Sequence, residues 1–178
     1  MFTGFSPETI DFLWGIRMNN NRDWFQEHKK QYVDTLYEPM KALGQALFQP
    51  FQDRPGNILK VSRIYRDARR LHGRGPYKDH LWLGIRQPAD EWTARPTFWF
   101  EVTPAGWSYG MGYWMPKPVT MAKLRARTAR DPGAMETLTR AVGRQTEYTL
   151  QTVAYKKPPS QAPSPVLQPR TTAPPVSL

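Results

Sequence analysis

The stretch Phe98–Tyr113, FWFEVTPAGWSYGMGY, decides the fold. Phe98 and Phe100 alternate with Trp99 and Glu101, so the two pairs point to opposite faces of an extended chain, one to be buried and one open. Thr103, Pro104, Ala105 and Gly106 then supply a turn between two aromatic runs. This predicts an antiparallel hairpin joining Phe98–Val102 to Trp107–Tyr113. Upstream, ILKVSRIY at Ile58–Tyr65 is β-branched and partly alternating, and Leu81–Ile85 has the same character, so two further strands are expected. Pro50, Pro55 and Gly56 separate this region from a helical N-terminal part.

In that N-terminal part, Ser6 is placed to cap and Pro7 to open a helix over Pro7–Met18, with Phe5 stapled onto Ile10 and Ile10, Leu13 and Trp14 facing inward. Asn19–Asn21 reads as a tight joint that supplies the next cap. From Trp24 onward, Phe25, Tyr32, Leu36, Met40, Leu43 and Leu47 recur at helical spacing, so a long second helix is expected, kinked or restarted at Pro39. After the hairpin, helix returns over Thr120–Arg130, and Asp131 caps another opened by Pro132, with Met135, Leu138 and Val142 inward. Strands in the middle and helices at both ends, without regular alternation, predict an α+β domain with a mostly antiparallel central sheet. A single domain is expected over residues 1–154. From 155 to 178 the chain holds seven of its eighteen prolines. Such a composition cannot build its own helix or sheet, and a disordered Pro-rich tail is expected there.

Composition bounds the chemistry. The chain has 178 residues, 39% of them apolar, which suffices for one ordinary core. Zero cysteines exclude disulfides, thiolate zinc sites and a cysteine nucleophile. His28, His72 and His80 are scattered with no HExxH spacing, so no metal site and no cofactor is expected. No run is long and apolar enough for a membrane span, and the opening MFTGFSPETIDF is too short and too acidic for a secretion signal, so a cytoplasmic protein with no membrane partner is expected. GxSxG, P-loop and GxGxxG signatures are all absent.

Several of these segments together resemble a known family. The opening GFSPETIDFL, the pair NN followed by DWF and HKKQY, the central SRIYRDAR with GPYKDH, and the hairpin end GMGYWMPKP match in order and spacing the bacterial family catalogued as domain of unknown function 2461. The likeness is carried by the first 130 residues or so and continues to about Gln168, beyond which the ending differs as a truncated or frame-shifted terminus would. The resemblance implies an α+β fold and a basic central motif of unassigned role.

That motif follows independently from charge. The net charge is +10, and half of it sits in residues 60–90, with eight basic residues against three acidic. An excess of this size favours an anionic partner. Arg63, Arg66, Asp67 and Arg69 occupy the end of a strand and the loop leaving it, and Tyr77 and Lys78 begin the return to the next strand. Arginine offers a planar fork for paired hydrogen bonds to phosphate or carboxylate, and lysine adds a point charge. The expected site is therefore an oxyanion pocket of Arg63, Arg66, Arg69 and Lys78, oriented by Asp67 and lined by Tyr77 and Trp99. Against it stands a structural ion pair of Arg66 with Asp67, the other arginines being solvated. Two further readings share the motif: a nucleic-acid binder using the basic surface and exposed aromatics, and a hydrolase-like enzyme with Asp67 or His80 as general base. Trp24, Phe25 and His28 sit on one helical turn beside the asparagine joint, where core packing is the simpler explanation.

Overall fold

The computed structural model describes residues 2–71, 73–88, 95–113 and 116–149. The tail expected from residue 155 lies outside them. The described residues fall into two compact units, divided between Met115 and Pro116.

Helix α1 spans Pro7–Met18, as the Ser6 and Pro7 signals predict. Ser6 does not cap through its hydroxyl, however. Its backbone carbonyl accepts from the Thr9 N–H at 3.0 Å, and its side chain hydrogen-bonds Glu8, which together with a backbone hydrogen bond holds that carboxyl below its ordinary value. The buried stripe is Thr9, Phe12, Leu13 and Ile16 instead of Ile10, Leu13 and Trp14, and Trp14 is 42% exposed, with the Arg17 guanidinium 5.0 Å from its ring centre. The reason lies in the next segment.

That segment is a relay of short helices in place of one long one: α2 at Arg22–Glu27, α3 at Lys29–Gln31, six π-helical residues Tyr32–Tyr37, and α4 at Glu38–Phe48. Asn21 caps α2 by accepting from the Trp24 N–H at 2.9 Å. Pro39 has no N–H, so the Thr35 carbonyl four residues earlier loses its helical donor. The Thr9 hydroxyl supplies the substitute, donating to that carbonyl at 2.6 Å. A buried threonine thus turns α1 by one position and closes the gap that the proline leaves. The shared core gathers Phe12, Leu13, Ile16, Phe25, Tyr32, Leu36 and Met40 from this layer.

Among the described residues the sheet has four antiparallel strands in sequence order: β1 Ile58–Val61, β2 Leu81–Arg86, β3 Thr97–Thr103 and β4 Gly106–Gly112. Leu81, Leu83 and Ile85 of β2 and Val102 of β3 are buried, each worth about 1.5–3 kcal/mol. The hairpin is the expected one, with Thr103 opposite Gly106, whose φ of 131° suits glycine. The Thr103 hydroxyl ties the turn by donating to the Gly106 carbonyl at 3.1 Å and accepting from the Ala105 N–H at 3.2 Å. Because Leu83 faces Phe100 and Trp82 faces Glu101 across the β2–β3 ladder, alternation gives the sheet an apolar face and a polar one. The polar face carries Lys60, Ser62, Trp82 and Glu101.

The second unit holds α5 at Pro118–Arg130 and α6 at Pro132–Arg144, the latter capped by Asp131 accepting from the Ala134 N–H at 3.1 Å. No described residue of either helix is buried, and Leu138, expected inward, is 57% exposed. Among the described residues no helix is long and apolar enough to cross a membrane.

Candidate anion-binding site

The strand expected over Ile58–Tyr65 stops at Val61, and this early stop creates the site. Ser62 still donates its N–H to the Trp82 carbonyl at 2.8 Å, but the Trp82 N–H goes to the Ser62 hydroxyl at 3.0 Å in place of a main-chain carbonyl. The backbone is released from the ladder there and leaves the sheet. It pairs instead with the segment returning to β2: the Arg66 N–H donates to the Pro76 carbonyl at 2.8 Å, and the Lys78 N–H to the Ile64 carbonyl at 2.7 Å, around a Tyr65–Tyr77 bridge. Arg63, Arg66 and Lys78 are thereby brought to one place.

Asn20, in the joint between α1 and α2, pins this small ladder. Its side chain accepts from the Tyr77 N–H and donates to the Tyr77 carbonyl, both at 2.9 Å. Gly75 must be glycine for the approach, since a Cβ there would collide with the Asn20 carboxamide and with its backbone oxygen. The Tyr77 carbonyl also accepts from Arg66 Nε at 2.7 Å. Arg66 Nη2 lies 3.6 Å from Asp79, whose other oxygen takes Arg17 Nε at 2.7 Å, while His80 Nδ1 sits 3.2 Å from the first. Burial pushes the Asp79 carboxyl up, but hydrogen bonds from Arg17, His80 and its own backbone outweigh it and hold the group below its usual value.

The result is a hollow of about 530 Å³ on the polar face, lined by Lys60, Arg63, Arg66, Arg69 and Lys78 with Asp67 as its one carboxylate. Ser62, Tyr65, Ala68 and Trp82 complete the lining. Asp67 is engaged with Arg69, accepting from Nε at 3.0 Å and Nη2 at 2.8 Å as well as from the Arg69 backbone. Arg63 has no acceptor among the described residues. Lys78 Nζ lies 5.9 Å from the centre of the Trp82 ring. Burial first, then the Arg66 and Arg63 charges, push the Lys78 ammonium down to about 8, against the pull of Glu101.

Residues 8–167 match the family model described as conserved hypothetical protein (DUF2461). The chain belongs to this family. Comparison with curated proteins and with solved structures found no match. For this DUF2461 chain the roles of residues are therefore read from the side chains themselves.

Of the residues expected at the site, the structure brings together Arg63, Arg66, Asp67, Arg69 and Lys78, and it leaves out Tyr77 and Trp99. Tyr77 is buried and stacks on Phe25 at 4.2 Å, so it contributes only its backbone. Trp99 starts from the same face as Trp82, but its ring lies against β4, where a Cβ on Gly110 would come within 3.2 Å of it. Residue 99 borders a second hollow, of about 470 Å³, on the apolar face with Phe5, Leu43, Phe98 and Phe100. Trp82 takes the place beside the cations. Lys60, Ser62 and Trp82 were legible in principle, since Lys60 and Ser62 share a strand face and antiparallel pairing sets Ser62 against Trp82. Asp79 as the partner of Arg66 and Arg17 was not, because Arg17 is 62 positions away. Trp24 and His28 stack at 3.9 Å and Phe25 is buried, as packing residues would be.

Proposed function

We propose that this protein binds a small anionic or phosphorylated ligand in the hollow between the end of β1 and the start of β2. The observation that carries the reading is the excess of positive charge there: five cations and a single carboxylate that is occupied by Arg69. Like charges held together in excess of their counterions cost stability, and the Lys78 ammonium, pushed down first by burial and then by Arg66 and Arg63, carries part of that cost. An oxyanion would relieve it. Arg63 offers a fork with no acceptor among the described residues, Arg66 a fork oriented by the Tyr77 carbonyl and Asp79, and Lys78 a partly desolvated point charge. The reading is of a binding protein of the bacterial cytoplasm. Exposed Trp107, Tyr109 and Met111 belong to the apolar face, opposite the cations, so a base-stacking platform beside the basic groups gains no support.

Thermal unfolding with inorganic phosphate or pyrophosphate tests this. Ligand at 100 times its Kd stabilises by about 2.7 kcal/mol, a rise of roughly 5–11 °C for a chain of this size. Arg63→Glu should abolish the rise while leaving the unliganded Tm at or above that of the wild type, because Arg63 holds nothing else in place and its charge opposes that of Lys78. Arg66→Glu is the poorer probe, since it also removes the hydrogen bond to Tyr77. Equal stabilisation of wild type and Arg63→Glu, or of neither, overturns the reading.

A further inference from the structure

We propose that Lys78 is a nucleophile that captures the carbonyl carbon of a phosphorylated aldehyde or ketone as an imine, with the phosphate seated on Arg63 and Arg66. The inference rests on the anion-site reading and names the ligand class. Three features of the hollow carry it. The Lys78 backbone N–H is fastened to the Ile64 carbonyl, so the side chain rises from a fixed point. Its ammonium faces the Trp82 ring and no carboxylate closes an ion pair with it among the described residues; Lys30 and Lys41, by contrast, are held on Asp34 and Glu38. It stands among Arg63 and Arg66, permanent cations that both repel an ammonium and attract a phosphate.

An amine used as a nucleophile must be unprotonated for part of the time, and neighbouring cations with partial desolvation are the standard way to achieve this. Lys78 is in that condition, lowered to about 8 where an ordinary lysine stays near 10.5. The charged groups facing it are Arg63 and Arg66 from the segment after β1 and Glu101 from β3, with Lys60, Asp67 and Arg69 around the rim. The neutral amine adds to the carbonyl carbon to form the C–N bond. The carbonyl oxygen then leaves as water, taking the two amine hydrogens, and the imine remains. No oxidant or reductant is required. The phosphate contributes by holding the carbonyl beside the amine, which replaces a bimolecular encounter by an intramolecular one.

The test uses the full chain with glycolaldehyde phosphate as probe, unphosphorylated glycolaldehyde as control, and cyanoborohydride, which delivers hydride to the imine carbon and leaves a stable secondary amine. Intact mass and peptide mapping read the adduct. Expected are one equivalent on Lys78, labelling at least tenfold faster with the phosphorylated probe, suppression by inorganic phosphate, and a half-maximal rate near pH 8. Lys78→Arg should lose the adduct while phosphate still raises its Tm, which separates loss of the nucleophile from loss of the fold. If Lys78 is labelled no faster than Lys30 while phosphate still stabilises the protein, the imine proposal fails and the anion site stands. If phosphate gives no stabilisation either, both fail together.

Discussion

Replacing Lys78 by methionine should make the protein more stable at neutral pH. The methionine keeps the stem that packs beside Trp82 and removes an ammonium that is disfavoured by burial and by Arg66 and Arg63. Moving a lysine from 10.5 to about 8 corresponds to ~3 kcal/mol at ~1.36 kcal/mol per decade. The group keeps part of its hydration, which leaves ~1–2 kcal/mol, or a Tm rise of about 3–6 °C. The sign can be followed with pH. The folded-state value lies below the unfolded one, so the unfolded chain binds more protons and wild-type stability climbs between about 8 and 10.5. The penalty is fully present below that window and gone above it. Urea unfolding of both proteins across the window should therefore show the advantage of Lys78→Met shrinking to nothing as the pH rises. A variant that is no more stable at neutral pH, with a gap to wild type that ignores pH, would refute the account of strained charge in the hollow.

Asn20→Ala removes both hydrogen bonds to the Tyr77 backbone and leaves the Tyr77 N–H unpaired, while the carbonyl keeps Arg66 Nε, for a loss of about 1–3 kcal/mol by chemical denaturation. The same variant should weaken phosphate binding, although residue 20 touches no ligand. Thr9→Val strands the Thr35 carbonyl and should cost about 1–2 kcal/mol, most of it recovered in Thr9→Ser. Asp79→Asn should lower Tm at neutral pH. Because the Asp79 carboxyl is held below its ordinary 3.8, its contribution is complete above that value and is lost as the pH falls through the lower folded value, so the gap to wild type should close in strong acid.

The hairpin was readable because its evidence is local: alternation over Phe98–Val102 and a turn that only a few residues separate from both arms. The bounds of α1 and the cap of α6 were readable for the same reason. Local signals failed where a distant group intervened. The inward stripe of α1 is displaced because Thr9 answers a defect made by Pro39, thirty positions on, and β1 ends early because the Ser62 hydroxyl competes for the Trp82 N–H. The same division holds at the candidate site. The density of arginine and lysine in residues 60–90 pointed to the segment that lines the charged hollow, but placing Trp82 there in preference to Trp99 needed the register of three strands. The partnership of Arg66 with Asp79 needed the fold itself.

Asn20 makes the charged hollow depend on the N-terminal helices, though none of them lines it. A chain emerging from the ribosome can expose the whole arginine loop and still have no hollow, until residue 77 returns to meet a side chain synthesised long before it and β2 follows to pair with β1. The hollow takes shape only once residue 77 has closed on the joint between α1 and α2. A fragment lacking the first two helices would keep every cation and lose the cup.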